Sequence, residues 1–144
     1  MFEHELRLQK PLEEYVEFWE KMNKRSLALL PELVVPGFAF CDPYHNVSGV
    51  DAACSLLKHR FEVFKGGRYH VYDFMWGRRQ LCAYVHWSFT FQPRKKMFRP
   101  MPNDLVIGGM SKIMFLDDGK VLSHEDFFAA HHAIDLKAYS SLTL

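Results

Sequence analysis

The sequence predicts an α+β fold, with N-terminal helices packed on a strongly curved, mainly antiparallel sheet that encloses a pocket. Three observations predict it. Helical periodicity is confined to the part of the chain before Gly66. From Arg68 onward, aromatic and β-branched residues alternate in long runs. The last two runs are joined by Asp117-Asp118-Gly119-Lys120, a hairpin turn in which Gly119 supplies a positive φ. Helices followed by strands, rather than alternating with them, give segregated layers.

Pro11 is placed to open a first helix, where its missing N–H does no harm. Leu12, Tyr15, Val16, Trp19 and Met22 then recur at helical spacing. Ser26 is a fair N-cap for a short second helix through Leu27, Leu29, Leu30 and Leu33, and Pro36-Gly37 ends it. Phe38 to Cys41 reads as a short strand stopped by Asp42-Pro43, and Pro43 keeps Asp42 out of the helical region. Ser48-Gly49 opens a third helix, about Val50 to Phe64, closed by Gly66-Gly67.

Four strands in a meander follow: Arg68 to Trp76, Gln80 to Gln92, Leu105 to Leu116 and Val121 to Phe128. In the second, Leu81, Ala83, Val85, Trp87, Phe89 and Phe91 share one face. Cys82, Tyr84, His86, Ser88 and Thr90 share the other. Alternation does not say which row faces the pocket. The polar row is a candidate dimer face. Gly108-Gly109 offers a bulge or kink to curve the sheet. Pro93 to Asp104 is a basic loop carrying Arg94, Lys95, Lys96 and Arg99, most simply a solvated hairpin loop. The tail after Ala129 is a short helix or loose.

At 144 residues the chain reads as one domain, with a core over about 11–128 and a tail over 129–144. A composition 49% hydrophobic and 24% charged is that of a globular chain, and 15% aromatic residues suit a pocket or an interface. A net charge of +1 argues against a strong electrostatic grip on nucleic acid. Cys41, Cys54 and Cys82 cannot all pair within the chain and read as buried thiols of a reducing compartment. MFEHELRLQK has no apolar signal-peptide core, and no run reaches the roughly 18–20 apolar residues of a membrane span. A cytoplasmic protein without membrane or nucleic-acid partners is expected.

The chain resembles the SnoaL-like branch of the nuclear transport factor 2-like superfamily over about Pro11 to Phe128. Three segments carry this: Phe38-Ala39-Phe40-Cys41-Asp42-Pro43 followed by Val47-Ser48-Gly49-Val50-Asp51-Ala52-Ala53, Met114-Phe115-Leu116-Asp117-Asp118-Gly119-Lys120-Val121, and Ser123-His124-Glu125-Asp126-Phe127-Phe128. The resemblance implies a cone-shaped α+β domain, often a homodimer. The superfamily spans isomerases, cyclases, dehydratases, epoxide hydrolases and members with no chemistry, so the site must decide function.

By position, Asp42 is similar to the general base of ketosteroid isomerases, and Tyr15 to their oxyanion tyrosine. Ser111 stands where those enzymes carry a second acid, and serine is a weaker donor in a dry site. The bland reading of Asp42 is an Asp-Pro turn cap. His124 and Asp126, two apart on a strand, share a face and resemble the G-K-I-x-x-H-x-D run of SnoaL-type polyketide cyclases, whose aspartate is the acid/base. Burial in an aromatic pocket would raise the carboxyl pKa toward working pH. The bland reading of the pair is a hydrogen-bonded anchor between strand and helices. His131-His132 does not make a metal site at that spacing, and no metal or other cofactor is expected.

Two functions remain open. One is a cofactor-free isomerase, cyclase or dehydratase acting on a small apolar carbonyl or ring compound. Asp42 or Asp126 would move a proton while His124 and Tyr15 polarise the oxygen, and Trp19, Phe40, Ser111, Ile113 and Phe128 would line the ligand. The other is a non-catalytic ligand-binding or protein-interaction domain of the same fold.

Overall fold

The computed structural model describes residues 3–93 and 105–128; the basic loop and the histidine-bearing tail lie outside them. Helix α1 (Glu3–Glu20) leads through a 3₁₀ turn (Ser26–Leu29) into the one-turn helix α2 (Leu30–Leu33). Strands β1 (Val34–Cys41) and β2 (Asn46–Ser48) precede helix α3 (Val50–Val63). Then come β3 (Phe64–Trp76), β4 (Cys82–Pro93), β5 (Leu105–Phe115) and β6 (Val121–Phe128). The six strands form one sheet in the order β2-β1-β6-β5-β4-β3. Every pairing is antiparallel except β1 with β6, which is parallel. The α+β class and the four-strand meander are as expected.

Several local expectations are corrected. Helix α1 starts at Glu3 and carries Pro11 inside it. An interior proline is disfavoured, but the buried stripe Leu8, Leu12, Tyr15, Phe18 and Trp19 runs past it. The N-terminal half is also docked on the β5–β6 hairpin. Arg7 Nη2 meets Asp117 Oδ1 at 3.1 Å. A Cβ built on Gly119, whose φ is +90°, would lie 2.9 Å from the Pro11 ring. Pro36-Gly37 does not end the second helix; it lies inside β1, where the register against β6 shifts between Val34 and Ala39. Gly66-Gly67 does not close α3 but forms a bulge in β3, between Lys65 and Arg68, with Gly66 at φ +66°.

Curvature comes from these bulges and from register shifts at Val71/Asp73 and Met114/Phe115. Gly108-Gly109 makes no bulge there, since β4 and β5 pair through it without interruption. Gly109 serves a close approach instead. A Cβ there would fall 2.7 Å from both the Trp87 ring and the Phe127 carbonyl oxygen. Gly109→Ala is therefore expected to cost about 1–3 kcal/mol by overpacking. Denaturant unfolding checks this, and a change within about 0.5 kcal/mol would show that Trp87 can move freely.

The apolar row of β4 faces the helices: Ala83, Val85, Trp87 and Phe91 are buried, while His86 on the other row is exposed. Helix α1 packs on β3, and α3 on β1 and β3, so the core lies between the helices and the concave face. The three cysteines are free, but only Cys82 is buried; Cys41 and Cys54 are half-buried. Among the described residues no helix is long and apolar enough to cross a membrane.

Candidate functional site

Strand β6 turns His124 and Asp126 to the concave face, as two-residue spacing requires. The β5–β6 register sets Ser111 opposite Asp126 and Ile113 opposite His124. Tyr15 reaches them from α1 and Trp87 from β4. All five of Tyr15, Trp87, Ser111, His124 and Asp126 are buried. Their polar atoms form one chain: Tyr15 Oη to His124 Nδ1 at 2.8 Å, and His124 Nε2 to Asp126 Oδ1 at 2.7 Å. Ser111 Oγ donates to Asp126 Oδ1 at 2.5 Å and receives Trp87 Nε1–H at 2.7 Å.

With His124 taken as neutral, one proton assignment satisfies every link. Tyr15 donates to Nδ1 of a neutral imidazole; Nε2–H and the serine hydroxyl donate to an ionised Asp126. Burial pushes the Tyr15 hydroxyl well above its ordinary pKa, which keeps it a donor. Asp126 departs from the sequence expectation. Burial does push its carboxyl up, but His124, Ser111 and Arg60 together outweigh it and hold the pKa below the usual value. The His124 ring is clasped by Trp19 and Phe40, with centroids at 4.7 and 5.2 Å.

Asp42 sits at the end of β1, and its side chain is heavily committed. Oδ1 accepts the backbone N–H of Tyr44 at 2.8 Å and of His45 at 2.7 Å. The His45 ring contributes Nδ1 at 3.0 Å. Oδ2 pairs with Arg60 Nη2 at 2.5 Å. Asp42 thus caps the turn after β1 and neutralises a cation from α3.

A cleft joins these two clusters. Asp42, His45, Arg60 and Asp126 supply its polar wall, and Phe64, Tyr69, Trp87, Phe89 and Phe128 much of the aromatic one. A second, smaller pocket lies against Tyr15, Trp19, Ser111, Ile113 and His124. Asp126, Tyr69 and Trp87 line both. Asp126 is therefore the member of the predicted set that touches both spaces, with Asp42 bordering the first and Tyr15 the second. Phe40 is fully packed against Trp19, His124 and the Arg60 guanidinium.

Arg60, Tyr69 and His45 were not singled out by sequence. Arg60 reads as an ordinary helix-ending charge and Tyr69 as one aromatic in a strand full of them. The proximity of His45 to Asp42 was the one local signal. Burial drives the Tyr69 hydroxyl pKa strongly upward, so it too stays protonated. Its oxygen takes Arg60 Nη1–H at 3.3 Å.

No family profile and no curated protein matches the sequence. Solved structures do match in shape. A SnoaL-like protein from Jannaschia sp. CCS1, named as a candidate polyketide cyclase, has a TM-score of 0.73 at 15% identity over 94% of both chains. An NTF2-like protein of unknown function from Exiguobacterium sp. 255-15 has 0.69 at 12% identity, over 83% of this chain and 98% of that one. A steroid delta-isomerase from Pseudomonas aeruginosa has 0.66 at 16% identity, over 94% and 90%. The chain has the cone-shaped α+β fold of SnoaL-like and nuclear transport factor 2-like proteins.

Proposed function

We propose that this chain is a small-molecule pocket protein that performs acid/base chemistry, without a cofactor, on an apolar carbonyl or ring compound. The observation that carries this is Asp126: a buried carboxylate whose hydrogen bonds among the described residues all fall on Oδ1, in the wall of an aromatic cleft. Oδ2 is left for what enters. In an isomerisation, Oδ2 would take a proton from a carbon beside a carbonyl and return it to a different carbon, so no co-reactant is consumed. Tyr15, His124, Ser111 and Trp87 act beneath it as a relay that keeps the carboxylate ionised and aimed. Tyr69, backed by the Arg60 cation, is the donor for the carbonyl oxygen as charge develops there.

A non-catalytic binding domain is the second reading. It is favoured by the lowered Asp126 pKa, which weakens the carboxylate as a base, and by a buried network already satisfied within the protein. A thermal-shift screen against apolar ketones, lactones, polyketide-like aromatics and steroids tests both. Ligand at about 100 times its Kd adds about 2.7 kcal/mol, enough to move Tm by several degrees. With a hit in hand, Asp126→Asn should lower kcat by about 10²–10⁴ while ligand still binds. Unchanged turnover removes Asp126 from the chemistry, and a flat screen moves the reading to protein interaction.

The convex sheet face is the proposed homodimer surface. Tyr72, Met75, Val106, Met110 and Phe127 are exposed there. Phe127→Glu should leave a monomer by light scattering if the wild type is a dimer, and an unchanged dimer would place the interface elsewhere. Three free thiols suit a cytoplasmic protein.

A further inference from the structure

His45 borders the same cleft, and its ring is only half satisfied. The turn that carries it is tightly specified: Asp42 N–H donates to the His45 carbonyl at 2.9 Å, and the Asp42 carboxylate takes the N–H of both Tyr44 and His45. The imidazole is held through Nδ1, which lies 3.0 Å from Asp42 Oδ1 and 3.2 Å from Oδ2. A carboxylate only accepts, so Nδ1 must carry the proton. The single negative charge of Asp42 is already matched by Arg60 at 2.5 Å. A neutral imidazole completes this arrangement, and its Nε2 is then a bare lone pair.

That Nε2 is buried and has no hydrogen-bond partner among the described residues, on a side chain only 7% exposed. Buried acceptors are almost always paired. The side chain lines the cleft, so this covered nitrogen is the candidate partner for a ligand's donor, reached by a small turn of the ring. The rest of the wall says what surrounds that donor: Phe64, Tyr69, Trp87, Phe89, Ile107 and Phe128 present flat apolar surface. Charge narrows the choice further. Arg60 is committed to Asp42, while Asp126 is an ionised carboxylate in the same wall, so among the described residues that line the cleft an anionic ligand meets repulsion with no uncommitted cation to offset it.

We infer that His45 Nε2 is a hydrogen-bond acceptor for the hydroxyl of a neutral aromatic alcohol or enol seated in this cleft, with Asp42 as its positioning residue. This site stands independently of the proton transfer assigned to Asp126. It also gives Asp42 a role other than that of a base.

The test uses the intact protein with 2-naphthol and naphthalene as probes, which share a body and differ by one donor. In long-range ¹⁵N–¹H spectra, with His45 assigned by its disappearance in His45→Phe, Nε2 should read as an unprotonated nitrogen and Nδ1 as a protonated one. Saturating 2-naphthol should shift Nε2, and naphthalene should not. By calorimetry 2-naphthol should bind about tenfold tighter than naphthalene, a difference of about 1.4 kcal/mol. That preference should vanish in His45→Phe. A proton on Nε2, no shift with 2-naphthol, or equal affinities in the wild type would each overturn the inference. If His45→Phe fails to fold, His45→Leu supplies both the assignment and the affinity comparison. Because no turnover is measured, loss of the Asp126 chemistry would leave this result untouched.

Discussion

Arg60→Met is expected to destabilise the protein by about 3–5 kcal/mol, the usual cost of leaving a buried charge without its partner. The methionine keeps most of the volume, so the cavity contribution is small. What is lost is electrostatic. Asp42 is 3% exposed at its side chain and Arg60 is 18% exposed, so water cannot replace either partner. Burial alone works against the arginine cation, yet its pKa is held above the ordinary value by Tyr69, Asp42 and Asp126. The guanidinium also lies 5.3 Å from the Phe40 centroid and bonds to Tyr69. Asp42 would keep its three N–H donors in the variant, but no cation. A double-mutant cycle with Asp42→Asn separates the contributions. The double variant should cost clearly less than the sum of the singles, because the second change removes the charge that the first left stranded. Additive losses, or an Arg60→Met variant within about 1 kcal/mol of wild type, would mean the pair contributes little.

The fold was legible because its elements obey local periodicity. The β4 alternation from Leu81 to Phe91 and the turn at Asp117 to Lys120 specify strand, face and hairpin without tertiary knowledge. The structure departs from local preference where tertiary contact overrides it. Pro11 is tolerated within α1 because the stripe on either side is buried and the hairpin at Gly119 receives it. Glycine pairs by themselves suggest stops or kinks. Gly66 instead makes a bulge, and Gly109 makes room for Trp87. Strand β2, at three residues, is too short to show a period and exists by pairing with β1.

At the site, the geometry of His124 and Asp126 was readable because spacing along one strand sets a shared face. Their company was not. Ser111 joins them through register across β5, Tyr15 through the docking of a helix more than a hundred residues away, and Arg60 through the approach of α3 to β1. The direction of the Asp126 pKa illustrates the consequence. Composition showed an aromatic pocket, and from that alone a raised value follows. The value is lowered by three specific donors and cations that only the assembled fold brings within reach.

Acid should therefore find Asp126 as one of the groups whose protonation weakens the fold. The sign follows from linkage: its folded pKa lies below that of the unfolded chain, so the unfolded state binds the proton more readily. The stability it contributes is fully present above the unfolded value of about 3.9. It is lost as pH falls through that range and on through the lower folded value. Two variants divide the effect. Asp126→Ala leaves His124 Nε2–H and the Ser111 hydroxyl with no carboxylate and opens a void, so about 3–5 kcal/mol should be lost at neutral pH. Asp126→Asn keeps an acceptor oxygen and the volume, and should lose less. For both, the deficit against wild type should shrink as pH drops below about 4, because protonation takes the same interaction away from the wild type. Urea titrations from pH 7 down to pH 3 would show the curves of wild type and variants converging. Parallel curves would mean that the carboxylate is not held ionised by the fold, and the relay from Tyr15 through His124 would lose its assigned direction.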